Sequence, residues 1–192
     1  MIENIMATLK NVTAEHIIAI LVVICIFAML CNRKINVVAI FIEQLKVFKD
    51  NRTKKISPWD IISFILCPFF LSLALVIWYE FNINKELAQI LTTAFSLIFT
   101  LLLAFETILV SKKNSTNDVE RKVISQTFVS AVSASIFAMV GIILSIMIMF
   151  ISNALAIRIV TILVLVSSFI TIMLLLMIIK RTFMIFMNDN EE

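Results

Sequence analysis

Hydrophobic positions along this chain run on without interruption instead of alternating with polar ones. Five apolar runs stand out: 17–31, 61–79, about 88–110, about 123–151 and 154–179. A half-buried strand would show a period of two and a surface helix a period near 3.6, and neither dominates here. A helix crosses a bilayer with roughly 20 apolar residues, within a range of about 17–25. The pattern predicts an all-α, polytopic integral membrane helix bundle of five spans, one domain over 1–192. Run one has fifteen residues and reaches the spanning range only with help from Val12–Ala14 and the interfacial Glu15 and His16. The alternative is four spans, with run one re-entrant or interfacial. Only Ser152 and Asn153 separate runs four and five, which predicts a tight antiparallel hairpin.

One segment does show helical periodicity. Between runs one and two, Ile35, Val38, Ile42 and Leu45 share a face, with Phe41 and Phe48 beside it and Glu43, Lys46 and Lys49 elsewhere on the turn. A cytoplasmic amphipathic helix within 32–59 is expected. It would lie in the inner interface, its lysines toward anionic lipid, or offer its apolar face to a partner protein. The tail 180–192 passes from basic to apolar to acidic and reads as a short inner-surface helix.

Within the runs, small and polar side chains fall into seams. In run four Thr127, Ala131, Ala134, Ala138, Gly141 and Ser145 recur at alternating spacings of four and three, and Gly141 is the chain's one glycine. The seam extends over roughly 27 Å at about 1.5 Å per residue, nearly the hydrocarbon thickness. Helices in lipid associate through close approach and interhelical contacts, and small residues permit both. Run three carries Gln89, Thr93, Ser96, Thr100, Leu103 and Thr107 at the same spacing. Two arrangements are open. The seams pack runs three and four together within one chain, or one of them faces a symmetry axis and lines a path wetted by hydroxyls and closed by apolar rings. The hydroxyls also have the option of bonding the carbonyl one turn back.

Lysine and arginine set the sidedness. Segment 32–59 holds Arg33, Lys34, Lys46, Lys49, Arg52, Lys54 and Lys55. The connection from run three to run four holds Lys112, Lys113, Arg121 and Lys122, and the tail holds Lys180 and Arg181. Only Lys10, Lys85 and Arg158 fall on the other side. The expectation is an outside N-terminus and a cytoplasmic C-terminus in a bacterial inner membrane. Trp59 at the inner end of run two, with Trp78 and Tyr79 at its outer end, agrees with interfacial aromatic belts. The first sixteen residues hold one Lys against two Glu, so a basic secretory leader is not expected.

Composition narrows the function. With 61% hydrophobic and 15% charged residues, little chain is left for a separate soluble domain. The basic residues flank apolar runs, so direct nucleic-acid binding is not expected. Cys25, Cys31 and Cys67 show no paired spacing and read as small buried hydrophobes. One histidine excludes a His-based metal cluster, one glycine excludes a phosphate loop, and no nucleophile–base pair is evident. Neither a cofactor nor enzymatic activity is expected.

Three positions stand out for other reasons. Glu106 is an acid within run three, about 9 Å below the inner boundary at Lys112. Acids in spans are costly and are candidate ion sites, while near an interface they also snorkel or pair with Lys112 or Lys113. Arg158 lies one turn into run five, placed to snorkel or to ring an outer mouth. Pro68 should kink run two. The expected function is an oligomeric membrane protein, channel-like or membrane-permeabilising. Its alternative is a non-catalytic anchor or sensor subunit that recruits a cytoplasmic protein, in the setting of a toxin or phage-defence module. The expected partners are the bilayer, further copies of the chain and, in the alternative reading, that cytoplasmic protein.

Overall fold

The computed structural model describes residues 36–47, 59, 62–112 and 118–189, the side chains of 118–119 and 185–189 excepted. Run one, Ile35 and Phe48 lie outside these residues. The chain divides into two compact units, Met1–Ile42 and Glu43–Glu192. Every described element is helical: α1 (Val37–Val47), α2 (Cys67–Trp78), α3 (Lys85–Ser111), α4 (Asp118–Phe150) and α5 (Ala154–Asp189).

Three of them, Lys85–Ser111, Glu120–Phe150 and Ala154–Met184, are long and apolar enough to cross a membrane. Run two forms a shorter apolar helix, Ile62–Trp78, which opens with a π-helical turn over Ile62–Leu66. The α-helical part begins at Cys67, and Pro68 occupies its first turn. Pro68 stands seven residues into Ile62–Trp78, where a proline removes an intrahelical hydrogen bond and its ring crowds the preceding turn. The expected kink is therefore a change of helix type just before Pro68. Ser72 Oγ donates to the Pro68 carbonyl at 2.7 Å.

Helix ends follow local chemistry. Asn36 precedes α1 at φ 35°, and its side-chain oxygen accepts from the Ala39 N–H at 3.2 Å. Asn84 starts α3 by accepting from the Leu87 N–H at 2.8 Å. Glu80 follows α2 at φ 50°, a left-handed position usually given to glycine. Between α4 and α5, Asn153 Oδ1 accepts from the Leu155 N–H at 3.0 Å, turning the chain in three residues. The resulting pair packs as an antiparallel hairpin. The tail corrects one expectation: α5 continues through Lys180 and Arg181 to Asp189 as one helix. No proline or glycine interrupts it, and its apolar face continues past the basic pair.

α4 is the middle helix, packed against α3 on one side and α5 on the other, and α2 packs on α5. One cluster joins Ala88 and Phe95 of α3, Ala138 and Ile148 of α4, and Val160 and Val164 of α5. A second joins Leu102 of α3, Ala131 and Ala134 of α4, and Leu174 and Ile178 of α5. Small α4 residues at both levels let large side chains close in from two sides. The connection before α3 is also held: Ile83 is buried, and its N–H lies 3.5 Å from Thr161 Oγ1 of α5.

Candidate functional site

Two polar features need placing: the seams, and the charges inside the spans. Thr127, Ala131, Ala134, Ala138, Gly141 and Ser145 are all buried. Ile124 and Ile148 continue the alternation at either end, each 2% exposed. The buried line therefore extends over roughly 36 Å of helix. Ala131, Ala134 and Ala138 on this line pack against α3 and α5.

Run three is arranged differently from its sequence expectation. Gln89, Thr93, Ser96, Thr100, Leu103 and Thr107 are all exposed and do not meet the α4 seam. The α3 residues that bury themselves are Ala88, Phe95, Leu102 and Leu109, seven apart. The reason is packing. Two small-residue seams face to face would leave voids, whereas large side chains fill the hollows a small-residue seam leaves. The hydroxyls of the outward stripe bond backward along their own helix. Thr93 donates to Gln89 O at 3.1 Å, Ser96 to Thr92 O at 2.8 Å, Thr100 to Ser96 O at 2.9 Å and Thr107 to Leu103 O at 2.9 Å.

The charges in the spans converge on α4 through residues that lie off the seam. Ser130, Ser133 and Ser135 are buried. At about 100° per residue they project in three directions, and each meets a different helix. Ser135 Oγ donates to Glu106 Oε1 of α3 at 2.6 Å. Arg181 Nη1 of α5 donates to Ser130 Oγ at 3.2 Å, and Ser130 Oγ donates to Gln126 O at 3.0 Å. Ser133 Oγ lies 3.5 Å from Gln44 Oε1 of α1 and donates to Val129 O at 2.9 Å, the stronger of the two. Gln44 is 5% exposed, and its Nε2 has no partner among the described residues.

Glu106 thus meets a serine hydroxyl on α4, where the sequence offered snorkelling or a pairing with Lys112 or Lys113. Arg158 is exposed on the first turns of α5. On α1, Val38, Ile42 and Leu45 are exposed, Phe41 is half-buried, and Val37 and Gln44 are buried. Lys46 pairs with Glu43 one turn away. Cys67 is exposed instead of buried, a correction whose reason is the helix face: α2 buries Pro68, Ser72 and Val76, four apart, and Cys67 falls off that line.

Sequence reasoning passed over Ser130, Ser133, Ser135, Gln44 and Arg181. The serines fall outside the heptad, and Arg181 counted only toward sidedness. An acid inside a span calls for a donor, which was the available signal. Which serine supplies it depends on the register between α3 and α4. The arrangement can hold an acid and a guanidinium in apolar helices, each against a hydroxyl. Among the described residues no group of His, Cys, Asp or Glu is placed to hold a metal ion. No protein-family model matches the chain, and neither a curated protein nor a solved structure matches it.

Proposed function

We propose that this is an oligomeric membrane protein whose copies meet along the outward stripe of α3 and there form a channel-like or permeabilising path. The supporting observation is the exposure of Gln89, Thr93, Ser96, Thr100 and Thr107 on a helix long enough to span. Lipid gains nothing from such a stripe. Facing an axis, it supplies hydroxyl oxygens to water along roughly 27 Å. Leu103, the one apolar member, makes a ring suited to dewetting. Run one and Ile62–Trp78 complete the five-span arrangement, with the basic helix ends cytoplasmic in a bacterial inner membrane. The reading involves no covalent chemistry.

Purified protein in liposomes tests it by dye release and single-channel current. Wild type should release dye. Thr100→Leu should abolish release while leaving the thermal stability of the single chain within ~0.5 kcal/mol, because the site is exposed in that chain. Ala134→Leu, in the buried seam, should unfold the chain itself. Release that survives Thr100→Leu and Ser96→Leu together would remove the proposal.

The anchor reading is favoured by one observation, the exposed Val38, Ile42 and Leu45 on α1. It expects a soluble protein to co-purify and to be lost with Ile42→Asp.

A further inference from the structure

A cavity of about 460 Å³ opens beside the last turns of α5. Its walls include Phe64 of the π turn and Met173, Leu176 and Met177 of α5, and Lys180 and Arg181 stand along the same side. The α5 members, Met184 included, follow a spacing of three, one, three, one and three, so they form a single helix face that is apolar for two turns, then doubly basic, with Met184 beyond the basic pair. From Met173 to the basic pair the helix rises roughly 11 Å. The volume lies within the roughly 300–1,000 Å³ of ligand sites, and the shape asks for a molecule that is apolar at one end and anionic at the other.

We infer that this groove binds one anionic phospholipid, with its phosphate on Lys180 and Arg181 and an acyl chain along Leu176, Met177 and Phe64. Three observations converge on that occupant. Charge is complementary, since guanidinium and ammonium donors suit phosphate oxygens. The guanidinium is also held in place: Ser130 Oγ takes one of its five N–H groups, leaving the planar fork oriented by a residue of α4. Finally, the groove lies at the basic end of the helices. Lys112, Arg121 and Lys122 are at that end, against Lys85 and Arg158 at the other. Basic pockets between spans on the positive side recognise phosphate headgroups. A free phosphate ion would leave the methionine and leucine wall facing water, so a lipid is the better occupant. The inference needs the membrane reading and is independent of oligomer formation.

Native mass spectrometry of the full chain in detergent, titrated with phosphatidylglycerol and with phosphatidylcholine of the same acyl chains, tests it. The expected result is retention of one phosphatidylglycerol, preferred by about fivefold per basic residue. Lys180→Gln alone, at an exposed position, should lower that preference about fivefold. Lys180→Gln with Arg181→Gln should abolish it. Met177→Trp keeps both charges and fills the groove, and should lower binding of both lipids. Lys112→Gln, exposed at the same end, should change nothing. Equal binding of the two lipids, an undiminished preference in Lys180→Gln, an equal loss in Lys112→Gln or displacement of the lipid by millimolar inorganic phosphate would each overturn the inference.

Discussion

The ring of Phe95 stands end-on against Gly141, so that a methyl group at position 141 would lie 2.7 Å from Cζ and 2.8 Å from each Cε. This contact sets how closely α3 and α4 approach. Phe95 is 3% exposed and cannot simply swing aside. The chain's one glycine is thus used for clearance inside a helix, at the expense of roughly 1 kcal/mol of helix propensity.

Gly141→Ala should lower the thermal unfolding temperature in detergent. Overpacking costs about 1–3 kcal/mol and outweighs the propensity gained. Phe95→Leu in the same chain should recover part of the loss, giving a favourable coupling energy in a double-mutant cycle. Additive effects would show that the two residues do not touch.

Glu106 and Ser135 make a second separable pair. Ser135→Ala deprives the Glu106 oxygen of its donor and should cost about 1.5 kcal/mol, the lower end for a bond to a charged group because Glu106 is only partly buried. Glu106→Gln keeps an acceptor at the same place and should cost less than about 1 kcal/mol. If dye release is also unchanged in Glu106→Gln, the carboxylate has a packing role and no role in binding ions.

Ser145 differs from the other buried hydroxyls. It is 0% exposed, and its Oγ has no hydrogen-bond partner among the described residues. Ser145→Ala should raise stability by about 1 kcal/mol, since an unpaired buried hydroxyl costs about 1–3 kcal/mol. A lower unfolding temperature would point to a partner that a hydroxyl at 145 serves.

Glu80 sits at φ 50°, where a side chain crowds its own backbone. Glu80→Gly should stabilise the end of α2 by about 1 kcal/mol by relieving the left-handed conformation. Glu80→Val should do the opposite, because a β-branched residue suits that region least.

Much of the helical layout was legible in the chain. Runs three to five appear as α3, α4 and α5, because an uninterrupted apolar run of that length has few other ways to satisfy its backbone. Asn84 and Asn153 open helices by chemistry local to their own turns. The extent of α5 was less legible, since a basic pair marks a membrane boundary without ending a helix.

What the sequence determined by itself was periodicity: a small-residue line on α4, a hydroxyl line on α3, and an acid and an arginine near the basic ends. Only the tertiary structure decided which lines met. It turned the α3 hydroxyls outward, set Phe95 into the hollow at Gly141, and placed Ser135 at Glu106 and Ser130 at Arg181. The physical reason is that spacing along one helix is intrinsic, at about 100° and 1.5 Å per residue. The rotation and register of two helices depend on filling space between them, which is a property of both surfaces together.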